Sequence, residues 1–109
     1  MNDQITHRAF FGDGEHAFTL TDPMIAELER LTGTGFGALA FRVMRHEFHL
    51  SDLVEIIRLG LIGAGTHPEE AARMVDTYAH NRPVSEILPL ALDVLIARVG
   101  VQDEQEQPA

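Results

Sequence analysis

The sequence predicts a mainly α (α+β) fold, an N-terminal β-hairpin packed on a bundle of about five short helices. Three observations predict it. Asp13-Gly14 stands between two short aromatic runs, the strongest short-range signal for a hairpin. From residue 22 onward, apolar residues recur at helical spacing. Clusters such as Gly33-Thr34-Gly35, Gly63-Ala64-Gly65 and Asn81-Arg82-Pro83 cut that stretch into segments of ordinary helix length.

Arg8–Gly12 and Glu15–Leu20 are the expected strands, joined by a type I′ turn at Asp13-Gly14. His16, Phe18 and Leu20 share the face better suited to burial. Two strands alone are marginal in water, so the hairpin must lie on helices or pair with another chain. Asp22 caps the first expected helix, with Pro23 at its first position and Gly33 as its stop. Met24, Ile25, Leu28 and Leu31 form its apolar side, and Glu27, Glu29 and Arg30 face water. A second helix runs from Phe36 to about His46 and is apolar over most of its circumference.

Ser51-Asp52 caps a third helix, Leu53 to about Ile62, ended by Gly63-Ala64-Gly65. Thr66-His67-Pro68-Glu69 has the form of a capping box for a fourth, reaching about Ala79. The last helix ends at Val99, before Gly100, and is again apolar nearly all round. Pro89 within it predicts a kink, or a helix that begins at Pro89 after a separate turn. These elements make one domain, residues 8–100, between a flexible N-terminus, 1–7, and a disordered acidic tail, 101–109.

Composition narrows the chemistry. The chain has 109 residues, 17 acidic against 8 basic, for a net charge of −9. Every basic residue is arginine. Such a charge argues against nucleic acid or an anionic membrane as partner, since both need clustered positive charge. No cysteine is present, which excludes thiol catalysis, disulfides and Cys-ligated zinc, and suits a reducing cytoplasm. The polar start Met1-Asn2-Asp3-Gln4 lacks the pattern of a signal peptide, and no apolar run approaches a bilayer span. The expectation is a soluble cytoplasmic protein.

No motif assembles a reaction centre. His46 and His49 are three apart, not the four of a zincin helix, and no third ligand is placed by the pattern; helix-end histidines explain them. His67-Pro68-Glu69 resembles half of a deaminase signature whose other half needs cysteine. Gly33-Thr34-Gly35-Phe36-Gly37 follows a helix instead of a strand and lacks a phosphate-loop lysine, so it reads as a helix–helix turn. Ser51 and Ser85 both sit at helix starts. No enzyme activity, cofactor or metal is expected.

What remains is surplus apolar surface on two helices. Phe36, Leu39, Phe41 and Met44 on the second, with Leu90, Val94 and Ala97 on the last, are the candidate residues for holding an apolar segment of another protein or a second copy. The hairpin edge at Ala9-Phe10-Phe11 carries few guarding charges, so self-association is expected as well.

The chain also resembles a known family. The stretches that carry the resemblance are the hairpin, Thr21–Glu29, Gly37-Ala38-Leu39, Leu53–Gly65 and Arg82-Pro83. Together they are similar to the gene-transfer-agent family of small phage-tail proteins, grouped with tail assembly chaperones and sometimes labelled tail tube proteins. The resemblance implies a role in tail morphogenesis, without catalytic residues. In the chaperone case the partner would be the tape-measure protein or another tail protein; in the alternative the chain would be a structural component such as a tube subunit.

Overall fold

A computed structural model describes residues 3–100. A short 3-10 turn (Asp3–Ile5) leads into β1 (Thr6–Phe11) and β2 (Gly14–Thr19). Five helices follow: α1 (Asp22–Thr32), α2 (Phe36–Met44), α3 (Leu50–Gly63), α4 (Pro68–Tyr78) and α5 (Val84–Val99). This is the expected hairpin-plus-five-helix arrangement. The expected acidic tail, 101–109, lies outside the described residues, as do residues 1–2 of the N-terminal segment. Residues 3–5 form the 3-10 turn, and Thr6 and His7 open β1. The Thr6 hydroxyl bonds that of buried Thr19 at 2.7 Å, and His7 Nε2 lies 3.6 Å from the Asp93 carboxylate.

The hairpin turn is displaced by one residue. Phe11 pairs with Gly14, so the two-residue loop is Gly12-Asp13. Gly12 has φ +69 while Asp13 does not have positive φ, the pattern of a type II′ turn and not the expected I′. Packing decides the register, because a slip of one residue would move the buried aromatic rings to the solvent face. Phe11 meets Phe18 edge-on at 6.1 Å and Tyr78 at 5.9 Å. His16 Nε2 is 2.8 Å from Asp13 Oδ1 and holds the Asp13 carboxyl below its ordinary range.

Gly12 is needed twice over. Its backbone is left-handed, and a Cβ there would stand 2.2 Å from Tyr78 Cδ2. Gly12→Ala is expected to cost about 2 kcal/mol and lower the melting temperature by roughly 8–16 °C. Gly14→Ala, whose Cβ would meet nothing within 4 Å, is the control and should melt close to the parent.

Several helix starts differ from the sequence expectation. Thr21, not Asp22, caps α1; its Oγ1 accepts from the Met24 N–H at 3.4 Å. The α3 helix begins at Leu50, three residues early, with His49 at the cap position. Asp52 acts from inside its first turn, accepting from the His49 N–H at 2.8 Å. His67 caps α4 in place of Thr66, its Nδ1 accepting from the Glu69 N–H at 3.2 Å. The residue before a proline is driven to extended backbone, and His67 has φ −60, ψ 139. The α5 helix runs unbroken through Pro89, so the restart expected there does not occur. The carbonyl that Pro89 cannot satisfy belongs to Ser85; both residues are exposed, and water can take the missing donor's place.

The core is built around α3, which touches β2, α1, α4 and α5. Leu53, Ile56, Ile57 and Leu61 are fully enclosed, as are Phe18 and Leu20 from the hairpin side. Gly60 and Gly63 share the side of α3 on which β2 sits, where a Cβ on Gly63 would collide with the Thr19 carbonyl.

Candidate partner-binding surface

The site is shaped by how α2 is hung on the bundle. Its main contacts are with α1 and α5. Its cap residue Gly35 has no side chain to offer the first amides, and α1 supplies one instead. Glu29 Oε2 accepts from the Phe36 N–H at 2.8 Å, so this carboxylate joins two helices and does not simply face water as expected. At the other end, the His46 N–H donates to Val43 O and the Glu47 N–H to Arg42 O, closing the helix through His46 at φ +64. Arg42 Nη2 then donates to Asp52 Oδ2 at 2.8 Å, pinning α2 to the first turn of α3.

So anchored, α2 turns one flank inward and one outward. Leu39, Ala40 and Val43 are buried, while Phe41 remains 60% exposed and Met44 37%. Phe36, Gly37, Ala40, Phe41 and Met44, with Val99 at the end of α5, line an open groove of about 390 Å³. The lining is almost wholly apolar. Arg45 rests beside it, its guanidinium 5.1 Å from the Phe41 ring centre and paired with Glu47 at 3.4 Å.

The seven residues proposed from sequence therefore separate. Phe36, Phe41 and Met44 meet in the groove. Leu39 and Val94 are corrected: both are buried in the core, and in this fold neither can touch a partner. Leu90 lies elsewhere, in a depression of about 400 Å³ bordered by Phe10, Gly12 and Tyr78. Ala97 is half-buried and lines neither. Val99 was missed, because a residue one step from a helix stop gives no sign of which neighbour it meets. Phe10, 72% exposed, was singled out only as part of an edge.

The histidines do not form a pair on a helix face. His46 lies past the end of α2, its ring edge-on to Phe48, and His49 is the cap of α3. Among the described residues no group of three or more potential ligands is gathered for a metal ion. Among the same residues no helix is long and apolar enough to cross a membrane.

Comparison with known families decides the wider relationship. The model of the family described as phage tail tube protein, GTA-gp10, matches residues 4–100. The chain belongs to this family. The match extends from the 3-10 turn to the stop of α5, so the hairpin, the groove on α2 and the depression beside Phe10 all lie within the GTA-gp10 domain. No curated protein and no solved structure gives a significant match. The relationship makes this GTA-gp10 chain a phage-tail-related protein, whose partners are to be sought among other tail proteins.

Proposed function

We propose that the chain is a non-enzymatic tail assembly chaperone, and that its α2 groove receives an apolar segment of another tail protein, foremost the tape-measure protein. The observation that carries this reading is the groove itself, where Phe41 and Met44 stand exposed beside Phe36 and Val99 on an otherwise acidic protein. Shallow apolar grooves with a few aromatic and methionine anchors suit amphipathic helices as ligands, because the adaptable Met side chain tolerates varied partners. The net charge of −9 would keep a complex with an aggregation-prone client dispersed.

A second reading has its own support. The family's description is that of a tail tube protein, and in that role the same groove would meet a neighbouring subunit. Two measurements separate them. Co-expression should raise the soluble yield of the tape-measure protein, and Phe41→Asp should cut that gain about tenfold, since an interface anchor contributes about 1.4 kcal/mol or more. Phe41 is exposed, so the variant should melt within a few degrees of the parent. An unchanged client yield would sink the chaperone reading. Ring-like stoichiometry of the chain in purified particles would establish the tube reading in its place.

A further inference from the structure

Among the described residues, the outer edge of β1 is unpaired at Arg8 and Phe10, and its chemistry there is unlike the rest of the surface. In a two-residue hairpin the pair flanking the turn is hydrogen-bonded, so Phe11, Ala9 and His7 bond inward to β2. Arg8 and Phe10 lie between them and point their N–H and C=O outward. Among the described residues neither makes a main-chain hydrogen bond beyond the hairpin. The β1 strand, Thr-His-Arg-Ala-Phe-Phe, has no proline, lysine or bulge to guard it. The opposite edge is closed at its end: Thr19 is buried, with Gly63 of α3 packed against its carbonyl.

Two side chains on the outward face of β1 add to this. Phe10 is 72% exposed, more than any other large apolar residue described. Two residues before it, Arg8 alone of the arginines forms no ion pair among the described residues; each of the other seven is bonded to a carboxylate. Arginine and a large aromatic side by side are the composition of an interface centre.

The geometry points to a second copy of this chain as the occupant, paired antiparallel along β1 about a two-fold axis at Ala9. In that register Arg8 lies opposite Phe10 of the other copy, and Phe10 opposite its Arg8. Each guanidinium gains an aromatic face, and both pairs exchange their two outward main-chain bonds. Of the two neighbouring registers, the one centred on Arg8 would set two guanidiniums opposite each other and is disfavoured, and the one centred on Phe10 sets Arg8 opposite Gly12 and gives its guanidinium no aromatic face. The β1 strand carries no carboxylate, so this edge joins two acidic molecules without opposing their negative charges along the seam. The two hairpins become one four-stranded sheet with the β1 strands at its centre, which removes the marginality of two strands alone.

The inference goes beyond the client-binding proposal and stands independently of it. Sedimentation of the full chain should show dimers at roughly 10–100 μM. Phe10→Lys should raise the dissociation constant at least about tenfold, with the circular dichroism spectrum and melting temperature close to the parent's. Ala9→Cys tests the register: it introduces the only thiol, and opposed non-hydrogen-bonded positions lie about 4.5 Å apart at Cα, within disulfide reach. Mild oxidation should give a covalent dimer whose melting profile matches the parent's. A parent chain monomeric at about 1 mM, a Phe10→Lys variant that dimerises as well as the parent, or an Ala9→Cys chain that does not cross-link would each overturn the proposal. A monomer that still keeps its client soluble would do so while leaving the chaperone reading intact.

Discussion

Gly63→Ala should lower the melting temperature by roughly 10–20 °C, an effect of about 3 kcal/mol from a single methyl group. The added Cβ would stand 1.8 Å from the Thr19 carbonyl oxygen and 3.0 Å from its carbon. No rotamer can relieve this, because the neighbour is main chain, and the end of β2 must move away from α3. One turn earlier, a Cβ on Gly60 would already be 3.1 Å from Phe18 Cβ. Displacing the strand therefore loosens Phe18 and Leu20, both fully buried. A second helical glycine should respond with the opposite sign. Gly37, on the exposed side of α2, has nothing within 4 Å of its missing Cβ, and Gly37→Ala should stabilise by about 0.5–1 kcal/mol through reduced backbone entropy. Thermal melts of the two variants beside the parent decide the matter. A Gly63→Ala protein melting with the parent would mean that helix and strand do not make this approach.

Gly63 also shows where sequence reading ran out. In sequence it belongs to Gly63-Ala64-Gly65 and signals a helix stop; in the fold it is the last residue of α3, required for contact with a strand more than forty positions earlier. Local spacing cannot reveal such a requirement. The same limit divided the candidate site. On α2 and α5 the periodicity gave apolar residues all round, and only the neighbouring elements decide that Leu39 and Val94 are enclosed while Phe41 remains outside. Features set by adjacent residues were legible: the five helices, the stops at Gly33 and Gly100, and the burial of Phe18 and Leu20. The turn slipped because Asp13-Gly14 and Gly12-Asp13 both satisfy turn chemistry, and the ring of Tyr78, from distant α4, helps choose between them.

Asp52→Ala is expected to cost about 3 kcal/mol and to disturb the α2 groove, although Asp52 lines no part of it. The carboxylate is 2% exposed and carries two duties through Oδ2: it accepts from the His49 N–H and from Arg42 Nη2, each at 2.8 Å. Alanine leaves the amide of the cap residue His49 without its acceptor and Arg42 without its counter-charge. Arg42 keeps 26% of its side chain in water, which holds the cost to the lower part of the range for broken buried pairs. Asp52→Asn should cost less, about 1–2 kcal/mol, since its amide oxygen can still accept from His49. If one interaction is responsible, adding Arg42→Met to Asp52→Ala should destabilise by clearly less than the sum of the two, because no charge is then left unpaired. Urea titrations of the four proteins give the coupling directly; strict additivity would show that Arg42 and Asp52 act independently. Because Arg42 ties the last turn of α2 to α3, releasing it frees Phe41 and Met44 from their fixed positions. Client solubilisation should therefore fall with Asp52→Ala and recover in part with Asp52→Asn, whereas a groove that owes nothing to this tie would hold its client equally well in both.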